Sequence, residues 1–163
     1  MTSATPGLST KDYMYRDLLK RVAAEQARFG SSLQPPGTPE QLESLVQRAA
    51  AQLHAKLPAE FLEFLKITNG FDWNGVVIYA SETVPIVGHP DRTIAGIVEM
   101  NLGYRDDERF EDLLVLGSNG MDLYTYGLDS NEYEVYDEVP HELIDSLPGF
   151  DVLMTRALTR SLQ

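Results

Sequence analysis

Three β-prone runs follow one another between Leu113 and Asp137, joined by links with room for little more than a turn. Leu113 to Leu116 leads through Gly117-Ser118-Asn119-Gly120 into Met121 to Tyr126, and Gly127 to Asn131 connects that run to Glu132 to Asp137. Parallel neighbours need a crossover of about a dozen residues or more, so links this short restrict the runs to an antiparallel meander.

Helical signals precede the meander. Ser9 with Asp12 fits a capping box, and Tyr15, Leu18, Leu19 and Val22 recur at helical spacing until Gly30 closes the segment. Gly30 to Gly37, with two serines and two prolines, reads as a loop. Thr38, Pro39 and Gln41 open a second helix, with a hydroxyl cap, a proline at the first helical position and a Gln reaching back from the third. Its buried stripe is read as Leu42, Leu45, Val46, Ala49 and Leu53. Pro58 opens a third helix carrying Phe61, Leu62, Phe64 and Leu65, stopped at Asn69-Gly70. Val76 to Tyr79 is the first clear strand, followed by a Pro/Gly-interrupted passage, and the spacing of Ile94, Ile97, Val98 and Leu102 predicts a helix over 93–105. Pro140 and His141 introduce a last helix through Leu143, Leu147, Phe150, Leu153, Met154 and Leu158, which Pro148-Gly149 should break or kink. The fold class is α+β, in one structural domain, with residues 1–37 as an N-terminal extension to residues 38–163.

Charge is distributed unevenly. From residue 110 to residue 155 there are eleven acidic residues and no Lys or Arg, in a chain of formal net charge −12. Such a field repels nucleic acid and anionic membrane and speeds encounter with a basic surface, although acidic excess also serves solubility alone. Without cysteine, thiolate chemistry and disulfides are excluded. The first ten residues lack the basic and apolar regions of a leader, and no apolar run approaches the roughly 20 residues that span a bilayer, so a cytoplasmic location is expected.

No motif commits the chain to catalysis, a metal or a cofactor. His54, His89 and His141 are far apart and none stands at zinc-site spacing from another. Asp129, Asn131 and Tyr133 imitate the start of a calcium loop, but Glu134 stands where that loop needs Gly, and a turn is the better reading. Gly117-Ser118-Asn119-Gly120 joins two strands and lacks the nucleophile-elbow pattern. Asp106, Asp107, Glu111 and Asp112 could hold a metal or serve as acid and base, yet they read more simply as a solvated charged loop.

The run Leu57-Pro58-Ala59-Glu60-Phe61-Leu62-Glu63-Phe64-Leu65-Lys66-Ile67-Thr68-Asn69-Gly70 resembles the signature helix of the SUKH superfamily, the yeast cell-wall-synthesis-regulator-like proteins. Phe71 to Tyr79, Asp112 to Gly117 and Met121 to Tyr126 are similar to the YrhA-like branch, and the likeness runs from about Thr38 to the C-terminus. It implies an α+β domain whose mostly antiparallel sheet packs against helices. It also implies, for a bacterial member, an immunity protein that neutralises a cognate toxin, often a nuclease; fungal relatives regulate cell-wall synthesis. The alternative is a housekeeping scaffold or regulatory interaction module.

Strand alternation suggests where a basic toxin would dock. Asp122, Tyr124 and Tyr126 share one side of their strand, and with Glu132, Glu134 and Tyr136 of the next they are expected to build one acidic, tyrosine-rich face. Tyrosine suits interfaces because it joins a large apolar ring to a hydrogen-bonding tip, but the same face could lie beneath the last helix. Trp73, the only Trp, is either a partner anchor or a core plug at a helix-to-strand junction.

Overall fold

The computed structural model describes residues 10–139 and 141–163. Ser9, and with it the expected first capping box, lies outside them, as does Pro140. Helix α1 (Thr10–Arg28) comes first and buries Tyr15, Leu18, Leu19 and Val22 against the core. Helix α2 (Pro39–Arg48) begins as its sequence dictates. The Gln41 backbone N–H donates to Thr38 Oγ1 at 3.1 Å, and the Thr38 N–H donates to Gln41 Oε1 at 2.9 Å. Leu42, Leu45, Ala49 and Leu53 are buried, the last two in a π-helical turn (Ala49–Leu53), whereas Val46 is left exposed. Helix α3 (Ala59–Leu65) buries Phe61, Phe64 and Leu65.

The chain then turns at Asn69-Gly70. Gly70 has φ +90 and a Cβ there would stand 2.9 Å from the Ala80 Cβ, so both conformation and space require glycine. Asn69 acts through its side chain. Its amide donates to Ser81 Oγ at 3.0 Å and its carbonyl accepts from the Ser81 N–H at 2.8 Å, which ties the helix end to the exit of the first hairpin. The 31–37 loop is fixed here too, since the Asn69 N–H donates to the Pro35 carbonyl and the Gln34 N–H to Thr68 Oγ1.

Strands β1 (Phe71–Trp73), β2 (Val76–Ile78), β5 (Leu113–Ser118), β6 (Asp122–Gly127), β7 (Tyr133–Asp137) and β8 (Leu143–Leu147) form one antiparallel sheet in that spatial order. Between β2 and β5 the chain makes an excursion through a separate hairpin, β3 (Val84–Ile86) and β4 (His89–Ile94), and helix α4 (Ile97–Tyr104). Helix α5 (Phe150–Ser161) closes the chain, packed on α1 and reaching β2, β7 and β8. Inside α4 the buried Asn101 side chain donates to the Val115 carbonyl and accepts from the Val115 N–H, replacing a strand partner beside the bulge at Leu116.

The meander over 113–136 is antiparallel as its links require. Four expectations about the elements need correction. Phe71–Trp73 is a strand that precedes Val76, and residues 84–94 form a hairpin. The helix expected over 93–105 starts at Ile97, because Thr93-Ile94 end β4 and Gly96 breaks the run; a Cβ on Gly96 would stand 2.7 Å from the Glu82 Cα. The last helix starts at Phe150, since Leu143–Leu147 pairs with β7 and Pro148-Gly149 separates strand from helix.

Candidate partner-binding surface

Strand register decides which of the acidic and tyrosine side chains meet. Gly127 N–H donates to the Glu132 carbonyl at 2.8 Å across the four residues 128–131, and Tyr126 then pairs with Tyr133, Thr125 with Glu134, Tyr124 with Val135 and Leu123 with Tyr136. Paired residues point to the same side of a sheet. Asp122, Tyr124 and Tyr126 therefore share a face with Tyr133 and Val135, while Glu134 and Tyr136 belong to the opposite face with Leu123 and Thr125. The single six-residue face expected from the sequence is not formed. Glu132 belongs to neither group, standing exposed in the link before β7.

The face bearing Tyr124 lies under helices. Tyr124 is 1% exposed and its hydroxyl accepts from the Asn119 side-chain amide at 2.9 Å. Burial raises its pKa, against the Asn119 hydrogen bond and with the Asp122 carboxylate. Tyr133 packs its ring on Tyr126 at 5.0 Å and edge-on to Phe150 of α5 at 5.7 Å, and its hydroxyl donates to Glu60 Oε1 at 3.2 Å. Burial, then the Glu60 carboxylate, holds that phenol well above its ordinary range. Tyr126 is half-buried, its hydroxyl accepting from Asn131 Nδ2 at 2.6 Å. Asp122, Tyr124 and Asn119 also line a polar cleft of about 340 Å³ with Arg156 and Arg160 from α5. Tyr124 thus sits in the core, and a substitution there reports on folding before it reports on binding.

The opposite face is more open toward its β7–β8 end. Glu134 accepts from the Tyr136 hydroxyl at 3.2 Å and from Ser146 Oγ at 3.4 Å, and both Glu134 and Tyr136 are half-exposed. The Tyr136 ring lies flat on His141, centroids 4.8 Å apart and planes 7° from parallel, and His141 meets Phe110 at 4.5 Å. His141 has φ 74 and a buried Nδ1 with no hydrogen-bond partner among the described residues. Burial is the main cause of its lowered pKa, Arg109 adds to it, and Asp107 opposes it.

Trp73 is half-buried at the outer edge of the sheet, against Phe29 at 6.1 Å, and its buried Nε1 has no hydrogen-bond partner among the described residues. It lies on β1 at one sheet edge, five strands removed from β8 at the other. In the acidic loop, Asp107 caps the 3₁₀ turn Glu108–Phe110 and grips the Arg109 guanidinium, whose hydrogen bonds hold its carboxyl down to about 2. Among the described residues no group of three or more His, Asp or Glu could hold a metal ion, and no helix is long and apolar enough to cross a membrane.

All eleven carboxylates between 110 and 155 are exposed or half-exposed, and Asp145 is bonded to Arg156 at 3.1 Å. Sequence reasoning missed the apolar residues among them. Met121, Val139, Leu143 and Ile144 are 65%, 84%, 52% and 42% exposed; Leu143 and Ile144 lie on β8, Val139 follows β7, and Met121 precedes β6, where the Glu138 N–H donates to the Met121 carbonyl. Val139, between Glu138 and a proline, was the available signal.

A family model described as SMI1/KNR4 (SUKH-1) matches residues 38–155, most of the chain. No curated protein matches the sequence at a significant level. SUKH proteins are known as immunity proteins of toxin systems and are generally non-catalytic.

Proposed function

The chain belongs to the SMI1/KNR4 family, SUKH-1, and from that premise we propose that it is an immunity protein that binds one cognate toxin and occludes its active surface. The observation that carries the reading is the solvent-facing acidic stretch of residues 110–155, in which no Lys or Arg interrupts eleven carboxylates. Its field attracts a basic protein such as a nuclease and raises the rate of encounter, and the mechanism needs no chemistry by the immunity protein. Within the sequence-derived set Glu132 is exposed, and Glu134 and Tyr136 are half-exposed on the face turned away from Tyr133 and Phe150, so these three are best placed to meet a partner.

The test is co-expression with a toxin domain encoded beside this chain's gene. Rescue of growth and a stoichiometric complex are expected. In that complex a Glu132→Lys, Glu134→Lys double change should slow association and flatten its salt dependence, because steering charges act before contact. No rescue and no complex, with only housekeeping proteins recovered from the native host, would favour a scaffold role.

A further inference from the structure

Among the described residues no strand pairs with the outer edge of β8. The strand ends the spatial order, and Leu143 to Ser146 are all exposed. An outermost strand leaves alternate backbone N–H and C=O groups without partners, and natural proteins usually shorten or charge such an edge. Here a bulge at Ile144 sets two successive apolar side chains, Leu143 and Ile144, at the start of the strand. Asp145, Ser146 and Leu147 keep regular register with β7, so backbone pairing is available over the second half. Val139, just past the end of the neighbouring strand β7, is 84% exposed.

Charge identifies the occupant. Asp137, Glu138, Glu142 and Asp145 neighbour Val139, Leu143 and Ile144 along the chain, and all four are exposed or half-exposed. Of the described cations, Arg156 is engaged with Asp145 and Arg109 with Asp107, and Arg160 Nη2 stands 4.0 Å from the Met121 sulfur. A second copy of this chain joined edge to edge would bring like carboxylates together, which is costly. Resting on the immunity reading, we infer that the β8 edge, with Val139, receives a basic extended segment of the toxin, which adds to the sheet as a further strand and seats apolar side chains on Val139, Leu143 and Ile144.

The probe is the neighbouring toxin domain, inactivated in its own active site, with the full-length chain. Amide exchange at residues 143–147 should slow at least tenfold on complex formation. A Val139→Asp, Ile144→Asp double variant should dissociate at least tenfold faster, while Val46→Asp, an exposed apolar change on α2, should bind within about twofold of the parent. A folded double variant that binds like the parent, or exchange protection confined to other strands, overturns the inference and leaves the immunity reading standing. Self-association through β8 without toxin also overturns it. Failure of the parent chain to bind any neighbouring toxin removes the immunity reading itself, and this inference with it.

Discussion

The two edges of the sheet are finished in opposite ways. Strand β1 is three residues long, buries Phe71 to 2% exposure, and is flanked by the Trp73–Phe29 ring contact and by Arg92 at 3.6 Å from Asp72. Desolvation pushes the Asp72 carboxyl above its ordinary value, against the pull of Arg92, as befits a carboxylate drawn into the flank of a packed edge. Strand β8 has five residues and buries none of them fully. The contrast separates a margin that serves stability from one whose apolar residues contribute little to the core and are therefore free to serve recognition.

The largest expected effect tests the closed edge. Phe71→Ala should cost about 3–5 kcal/mol in urea unfolding, whereas Leu143→Ala should cost below about 1 kcal/mol. Equal losses at the two positions would break the comparison. Next in size is Asn69→Ala, which strands the buried Ser81 N–H and should cost about 1–3 kcal/mol without changing the sheet. An unchanged unfolding midpoint would show that the latch beside β1 is dispensable.

A smaller effect belongs to the open end. The lowered pKa of His141 means that the folded chain binds this proton less readily than the unfolded chain. Stability drawn from the neutral ring is complete above its ordinary value of 6.5 and declines as pH falls through the lower folded value. Protection of the 138, 139, 141 and 142 amides, taken relative to the intrinsic exchange rate at each pH, should fall over that descent in the parent and lose this pH dependence in His141→Asn, which also suits the positive φ. The smallest effect is that of Val139→Asp on stability, within about 0.5 kcal/mol by thermal unfolding, since the side chain is 84% exposed. A large loss there would place Val139 in the fold rather than on the docking surface.

What the sequence made legible were features set by local chemistry. The Thr38 box, the Gly70 stop and the meander between 113 and 137 follow from a hydroxyl, a left-handed residue and short links. What stayed hidden was set by distant partners. Leu143–Leu147 reads equally well as one face of a helix until the exposed flank of β7 is there to pair with it. Thr93-Ile94 likewise needs the partner Val84 to declare itself a strand. The candidate site was legible in composition and illegible in arrangement. Alternation along β6 and along β7 is plain in each strand, but their relative phase depends on which residues close the hairpin.

That phase gives the link at 128–131 a significance beyond its own side chains. Its even length is what turns Tyr133 inward to Phe150 and leaves Glu134 beside Ser146. One inserted or deleted residue, unless absorbed as a bulge, would exchange the two, setting a carboxylate beneath α5 and a phenol outside. Among related chains, then, substitutions in this connection should be tolerated far more readily than changes in its length, and length changes should come in twos.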